Sequence, residues 1–475
     1  MTNKVQSKLS RYMQFALVVL AAGAIFPLLY LRGTYAPTLA AALNVSAGDL
    51  ETLNFWLGVV FIVGYFPSGF LADKISPKWL LTISLLGTGL VGIWYSLMPN
   101  FGSVVVIFML WGVFSVFTFW GAHMKLVKLL ATKEEEGTFF GILDGGRGAV
   151  EAILATIAAA IFVSFPAVVD SSGTEIRVDG IKAIVWMYVI TLLAVGVLVA
   201  LFVKNDDKKP TAILASNSQS FDSNTDSSSE NAIASDNTNT FATDSASQNT
   251  VAASTAVAED KLTAKEVLKL LKNKYVYILG GVIFMGYITY WTYYYFSSFM
   301  QANISVSSTD AAKIMVAVMW MRPIGGIVGG FLADKFGKGK VLSSVLALSA
   351  VVLFIVSSLP VDTSLGVFVT LFILAGLFMF AIRGTYWSLV GDVKGISAKN
   401  TGVIIGWVSL IGYLPDILLP IMITGLLGAD YDYVGLNNGF NTYFIISGIA
   451  AIISIAFVIL FVILNKKENK KLEKM

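Results

Sequence analysis

The chain of 475 residues has no cysteine and a single histidine. Without thiolates there is no disulfide framework, no sulfur-ligated metal site and no thiol nucleophile. His123 alone cannot build an imidazole metal centre, so no metal is expected. Charged residues are scarce as well, at 13%, where soluble domains carry about a quarter. Nothing matches His-Glu-x-x-His, Gly-x-Ser-x-Gly or the phosphate-binding Gly-x-x-x-x-Gly-Lys-Ser/Thr. Metalloprotease, serine-hydrolase and ATP-driven chemistry therefore lack their residues, the chain is not read as an enzyme, and no cofactor is expected. What is abundant is apolar surface: 56% hydrophobic residues and a mean hydropathy of +0.75. The solvent for such a chain is a lipid bilayer.

A membrane helix needs about 20 predominantly apolar residues. Such runs lie near 12–32, 51–72, 79–98, 103–127, 137–165 and 182–203, and again near 275–299, 309–332, 341–359, 364–391, 400–427 and 439–464. The predicted fold is an all-α integral membrane protein with twelve transmembrane helices. The first run is too long for the core of a signal peptide and lacks a small-residue cleavage site, so it is read as a retained span. Lys4, Lys8, Arg11, Lys74, Lys78, Lys128, Lys133, Lys335, Lys338, Lys340, Lys394, Lys399 and the basic tail Lys466 to Lys474 fall on one side, and the loops 33–50, 300–308 and 429–438 carry no Lys or Arg. By the positive-inside rule the basic side is the cytoplasm. The expected location is the cytoplasmic (inner) membrane of a bacterium, with both termini in the cytoplasm and Arg177 and Lys182 the main basic exceptions on the opposite side. This distribution accounts for the net charge of +3, so no nucleic-acid partner is implied.

Between the two sets of spans, residues 205–262 turn abruptly to Ser, Asn, Thr, Asp and Ala. Such a stretch cannot bury enough apolar surface to order itself and reads as a disordered cytoplasmic linker. The expected organisation is a six-helix bundle at 1–204, the linker at 205–262, and a second six-helix bundle at 263–475. The second bundle is preceded by a short amphipathic helix that opens on Thr263-Ala264-Lys265-Glu266, a capping-box spacing.

Six residues occur twice: Gly69-Phe70-Leu71-Ala72-Asp73-Lys74 returns as Gly330-Phe331-Leu332-Ala333-Asp334-Lys335. Each copy ends an apolar run and opens a basic segment, and the second continues Phe336-Gly337-Lys338-Gly339-Lys340. Small Gly69 and Gly330 would let a neighbouring helix approach. The full pattern Gly-x-x-x-Asp-Lys-x-Gly-Lys-x-Lys resembles the signature loop of the major facilitator superfamily of secondary transporters. The resemblance implies two pseudo-symmetric six-helix bundles that rock about a substrate site near the midplane. It makes Gly69, Asp73, Lys74, Gly330, Asp334, Lys335, Gly337 and Lys338 candidate gating residues.

Ionisable residues inside spans are costly and face a cavity or a partner. Arg147 lies about ten residues into the fifth run, roughly 15 Å at about 1.5 Å per residue. Asp144 and Glu151, at i−3 and i+4, share its helix face, interleaved with Gly141, Gly145 and Gly148. Arg322 precedes Pro323 in the eighth run, Arg383 lies deep in the tenth, and Asp416 follows Pro415 in the eleventh; Arg32 is late in the first run by hydropathy, or well inside it if the span follows the apolar stretch on to Leu43. Two readings stay open. In one the charges pair and lock helices together, Arg147 with Asp144 or Glu151 and Asp416 with Arg322 or Arg383. In the other, Arg32, Arg147, Arg322 and Arg383 converge on an anionic substrate, since a planar guanidinium grips carboxylate or phosphate with two hydrogen bonds. Tyr287, Tyr290 and Trp291 join them as candidate substrate contacts; residues from Tyr293 onward are expected at the membrane interface, while Tyr287, Trp291 and Tyr294, at i, i+4 and i+7, share a face that either lines the cavity or packs between helices. Asp144, Glu151 and Asp416 are the candidate coupling carboxylates.

The first signature copy continues Ile75-Ser76-Pro77-Lys78, with Ser76 where the superfamily usually has Gly. This variant resembles the loop of the organophosphate:phosphate antiporters, as do Tyr30-Leu31-Arg32 followed by Gly48-Asp49-Leu50, and Lys133-Glu134 before Gly137. In that branch the first helix carries a substrate-binding arginine, at Arg32 here. The branch's second arginine, in helix seven, would fall near Tyr290, and its fifth-helix histidine near Gly146. The expected function is secondary active transport of a small organic anion, whether phosphate ester, sugar acid or carboxylate, by a monomer. Proton-coupled symport of a neutral solute and a transporter-like receptor without flux are the alternatives.

Overall fold

A computed structural model describes residues 8–131, 136–169, 175–204, 272–392, 401–433 and 435–472. The 205–262 linker and the amphipathic stretch after it lie outside these residues, as does the side chain of Asp73. The described helices form twelve spans. Span 1 is Lys8–Ala24 and, after a turn, Arg32–Leu43; span 2 is Ala47–Lys74; span 3 is Pro77–Ser96. Span 4 joins Phe101–Gly112, a π turn Val113–Phe117 and Trp120–Leu130, span 5 is Glu136–Ser164, and span 6 is Val178–Phe202. Span 7 joins Lys274–Trp291, a tight turn Thr292–Tyr295 and Phe296–Asn303; span 8 is Ser308–Phe336; span 9 is Lys338–Ser358. Span 10 is Leu365–Tyr386, continued as a tight turn Trp387–Asp392, span 11 is Thr401–Gly412 with Pro415–Leu427, and span 12 is Asn438–Leu472. Among the described residues 11 helices are long and apolar enough to cross a membrane, and the short Leu9–Ala24 is completed into the twelfth crossing by Arg32–Leu43.

The first span follows the longer of its two possible extents. The strongest hydropathy ends at 32, yet the helix runs on with the apolar stretch to Leu43 and leaves Arg32 inside, because Arg32, Gly33, Thr34 and Pro37 lower the average without leaving the interior. Pro27 lacks an N–H to continue the helix; the chain turns through bonds from Leu29 N–H to Phe26 C=O (3.0 Å) and Tyr30 N–H to Pro27 C=O (3.3 Å), then resumes at Arg32. Span 7, the equivalent first helix of the second half, is also interrupted near its middle. Both breaks fall where the two halves face each other.

The two signature loops turn by different chemistry. After span 8 the chain reverses at Gly337, whose φ of +97° a side chain would strain. After span 2 it passes through extended Ile75 and Ser76, and Pro77 starts span 3 at its first position. Ser76 is tolerated because no left-handed residue is needed there. Gly69 and Gly330 correct the expectation of close packing, since a Cβ at either would meet nothing within 4 Å. The close approach is made instead by Gly121 of span 4, where a Cβ would lie 2.5 Å from the Ser68 carbonyl oxygen.

The halves meet along two seams, span 2 against span 11 and span 5 against span 8. Glycine sets both. A Cβ on Gly58 would stand 2.4 Å from the Asp416 carbonyl oxygen, and one on Gly148 would stand 3.0 Å from Arg322 Cγ and 3.1 Å from Pro323 N. At the end opposite the signature loops, polar ties join the halves. Ala47 N–H donates to Tyr431 C=O (2.9 Å), Gly48 N–H to Ala429 C=O (3.0 Å) and Ser297 Oγ to Thr34 C=O (2.6 Å). Arg177, held by Phe165 C=O at 3.1 Å, donates to Ser308 Oγ, which donates to Glu175 Oε2 at 3.3 Å.

Overpacking a tight seam costs about 1–3 kcal/mol. Gly58→Ala should therefore lower the thermal unfolding midpoint in detergent clearly, while Gly69→Ala, pointing into open space, should leave it unchanged or slightly raised. Equal midpoints for the two variants would contradict this seam.

Candidate functional site

Between the two halves lies a cavity of about 80 Å³. Its wall is drawn from both halves. Tyr30 and Tyr35 of span 1, Tyr65 of span 2, Trp120 of span 4 and Arg147 and Glu151 of span 5 meet Tyr287, Tyr293 and Tyr294 of span 7, Arg322 of span 8 and Arg383 of span 10. The broken middles of spans 1 and 7 place Tyr30 against Tyr294 (ring centroids 5.1 Å apart), and Tyr65 stacks on Tyr413 across the other seam (5.3 Å). A ring of aromatic faces thus surrounds a small charged floor.

The floor is built around Glu151. One turn after Arg147 on the same helix, it accepts from Arg147 Nε on Oε1 (2.9 Å) and from Arg322 Nη1 of the opposite half on Oε2. All three side chains are buried, Glu151 at 4% exposure, Arg147 at 8% and Arg322 at 7%. Arg322 Nη2 is buried with no acceptor among the described residues. Arg383 donates from Nη1 to Tyr290 OH (3.0 Å) and makes no ion pair among the described residues. The cavity lining therefore holds three guanidiniums and one carboxylate. A guanidinium stays charged at any physiological pH, so the site carries surplus positive charge in a low-dielectric surrounding.

Arg32 is placed differently. Its Nη1 donates to Glu51 Oε1 (2.5 Å) and its Nη2 to Tyr295 OH (3.1 Å), while Tyr295 OH donates to Glu51 Oε2 (3.0 Å). The guanidinium also stacks over Trp291 and Tyr295. Arg32 is not among the cavity-lining residues; it and Glu51 form a buried pair in one half, closed by a tyrosine from the other. Hydropathy puts Glu51 at the start of span 2, so it is not counted among the membrane acids; with Ser46 and Asp49 capping the helix before it, Glu51 already points inward.

Neither Arg322 nor Arg383 pairs with Asp416, which corrects one of the pairings weighed from sequence. Asp416 accepts on Oδ1 from Tyr287 OH (3.0 Å) and Trp291 Nε1 (3.1 Å), and its buried Oδ2 has no partner. Asp144 is half-buried beside Gly326 and makes no ion pair among the described residues. Of the aromatic candidates Tyr287 lines the cavity, whereas Tyr290 and Trp291 act one layer back, on Arg383 and on Asp416 with Arg32. Tyr293 and Tyr295 are buried at 3% and 2%, not interfacial; of the face Tyr287, Trp291 and Tyr294, the first and last line the cavity, and Tyr293 is a cavity residue that spacing did not indicate.

The gating candidates cluster at the signature-loop end. Lys74 and Lys335 are exposed, resting over Phe70 and Phe336, and Asp334 is exposed. Lys338 Nζ pairs with Asp392 Oδ1 at 3.0 Å, tying the loop after span 8 to the end of span 10.

This architecture and site define a membrane transporter, and the comparisons give its family. The model of the Major Facilitator Superfamily matches residues 15–420, and the chain belongs to that family. It is a multi-pass solute transporter with the family's twelve-helix, two-domain fold, and not an enzyme. It is 26% identical over 468 residues to the inner membrane protein YihN of Escherichia coli, covering 97% of both chains. It is also 23% identical over 325 residues to a probable hexose phosphate transport protein of Chlamydia trachomatis, covering 64% of this chain and 60% of that one. In fold it is similar to a bacterial homologue of the human lysosomal transporter Spinster in an inward-facing, unoccupied conformation, with a TM-score of 0.66, 13% identity and 96% and 97% of the two chains covered. It is likewise similar to the nucleoside transporter NupG, with a TM-score of 0.60, 12% identity and 95% and 99% covered.

Hydrogen bonds to charged groups contribute about 1.5–3 kcal/mol. Tyr295→Phe removes both bonds that join the Arg32–Glu51 pair to the opposite half and should lower the unfolding free energy by about 1–3 kcal/mol. An unchanged thermal midpoint would show that this hydroxyl does not hold the halves together.

Proposed function

We propose that the protein moves a small organic anion across a bacterial inner membrane by alternating access. The observation that carries the reading is the charge of the cavity: Arg147, Arg322 and Arg383 against Glu151 alone, with Arg322 Nη2 buried and without an acceptor. An arriving carboxylate or phosphate supplies the missing acceptor, and a bare guanidinium resists reorientation through hydrocarbon until one arrives. The aromatic wall suits a sugar ring, with faces for stacking and hydroxyls for hydrogen bonds. The similarity to a probable hexose phosphate transport protein supports a phosphate ester, and sugar acids and carboxylates fit the same donors. The inner-membrane relative supports the location. On the positive-inside reading the signature loops face the cytoplasm with both termini, and the tied end faces outward. Asp73 and Asp334 with their lysines then act at the cytoplasmic gate of a monomer whose bundles span 1–204 and 263–475.

A second reading has one observation in its favour. Among the described residues Asp416 is a buried carboxylate without an ion pair, and one of its oxygens has no partner. Proton-coupled symport needs an inward carboxylate that no fixed cation holds, so it stands beside exchange.

Purified protein should be stabilised against thermal unfolding by hexose phosphates, sugar acids or carboxylates and not by neutral sugars. Arg322→Gln should weaken the effective anion at least about tenfold, the worth of one charge-assisted hydrogen bond. In proteoliposomes, stimulation by internal phosphate marks exchange and stimulation by a pH gradient marks symport, while saturable binding without uptake marks a receptor. Stabilisation by neutral ligands alone would overturn the anion reading.

A further inference from the structure

Glu151 is a carboxylate lodged inside a site that otherwise gathers positive charge, and binding an anion does not require it. Both of its oxygens are committed, Oε1 to Arg147 of its own helix and Oε2 to Arg322 of the opposite half. It occupies the bridge between two guanidiniums that a solute carboxylate or phosphate would otherwise take. The tether is short and rigid: one helical turn separates Glu151 from Arg147, and Ala155 and Ala158 continue the same wall without bulk.

We propose that Glu151 determines which solute charge the transporter accepts, acting as an internal anion that limits the negative charge a substrate can bring. The inference rests on the anion reading above. A solute reaching the unpartnered Arg322 Nη2 sits beside the Glu151 carboxylate, because both nitrogens belong to one planar guanidinium. Its attraction to the three arginines and its repulsion from Glu151 both scale with its own charge. Glu151, Arg147 and Arg322 are buried, so these interactions are weakly screened. The lining sums to two positive charges with Glu151 present and three without it. Removing the carboxylate therefore benefits a dianion about twice as much as a monoanion, whereas a merely structural Glu151 would affect both alike.

The probes are glucose 6-phosphate, a dianion at pH 7.5 because its second ionisation lies near pH 6, and glucuronate, a monoanion on the same ring. Apparent affinities are read from thermal-shift titrations of the full-length protein. Glu151→Gln should raise the preference for the ester over the acid about tenfold. Glu151→Asp, which keeps the charge, should leave the preference at the wild-type value. Combining Glu151→Gln with Arg147→Gln restores the net charge of the lining and should restore the wild-type preference, even where both affinities fall. If Glu151→Gln does not fold, the double variant against Arg147→Gln alone gives the same contrast, the preference dropping in the single variant and recovering in the double. An unchanged preference in Glu151→Gln with both probes bound would overturn this role and leave the anion reading standing. No saturable response to either anion in any of these proteins, wild type included, would overturn both.

Discussion

A guanidinium inside a bilayer, away from water and without an acceptor, costs at least about 2.5–3.5 kcal/mol, and this chain carries Arg32, Arg147, Arg322 and Arg383 within its spans. The rest of the arrangement follows from how each is compensated. Arg32 has its own carboxylate, Glu51, and a tyrosine hydroxyl from the other half. Arg147 and Arg322 share the single carboxylate of Glu151. Arg383 has the hydroxyl of Tyr290. The first set is balanced in charge, with only Arg32 Nε left unpartnered among the described residues, and it holds structure. The second and third are short of negative charge, and they are the ones that line the cavity.

That division also explains how polar ties and moving parts coexist. The halves touch through glycine seams, and at Gly58 and Gly148 backbone meets backbone or side-chain stem. Such surfaces can slide or part at little cost in packing. The polar ties around Ala47, Gly48, Ser297 and Ser308 are few, local and confined to one end. Opening that end would exchange a countable set of hydrogen bonds for water, whereas Glu151 in the cavity floor is bonded to both halves.

Much of the fold was legible because the bilayer restricts the solutions: twelve apolar runs became twelve spans, and the repeated six residues marked the two halves. Where the reading failed, averaging was the cause. A hydropathy window cannot see that Arg32, Gly33 and Pro37 are buried in the continuation of an interrupted helix, nor that Glu51 at a helix start points inward. The face shared by Arg147 and Glu151 was readable from i,i+4 spacing, and the structure pairs them. Which arginine of the opposite half would join them was not, since spacing within a helix says nothing of register between helices. The expectation for Gly69 and Gly330 failed for a similar reason: small residues permit close approach, but the partner that approaches, here Gly121 toward Ser68, is chosen by the tertiary arrangement.

The central claim is that the positive surplus around Glu151 is the seat of a solute anion. The most direct measurement is a density map of the protein in lipid nanodiscs saturated with tungstate, whose heavy atom identifies an anion without ambiguity. The account predicts a single strong peak within hydrogen-bonding reach of Arg322 Nη2 and Arg383. A cavity holding only water at saturating tungstate, with Arg322 and Arg383 both closed onto protein carboxylates, would contradict it.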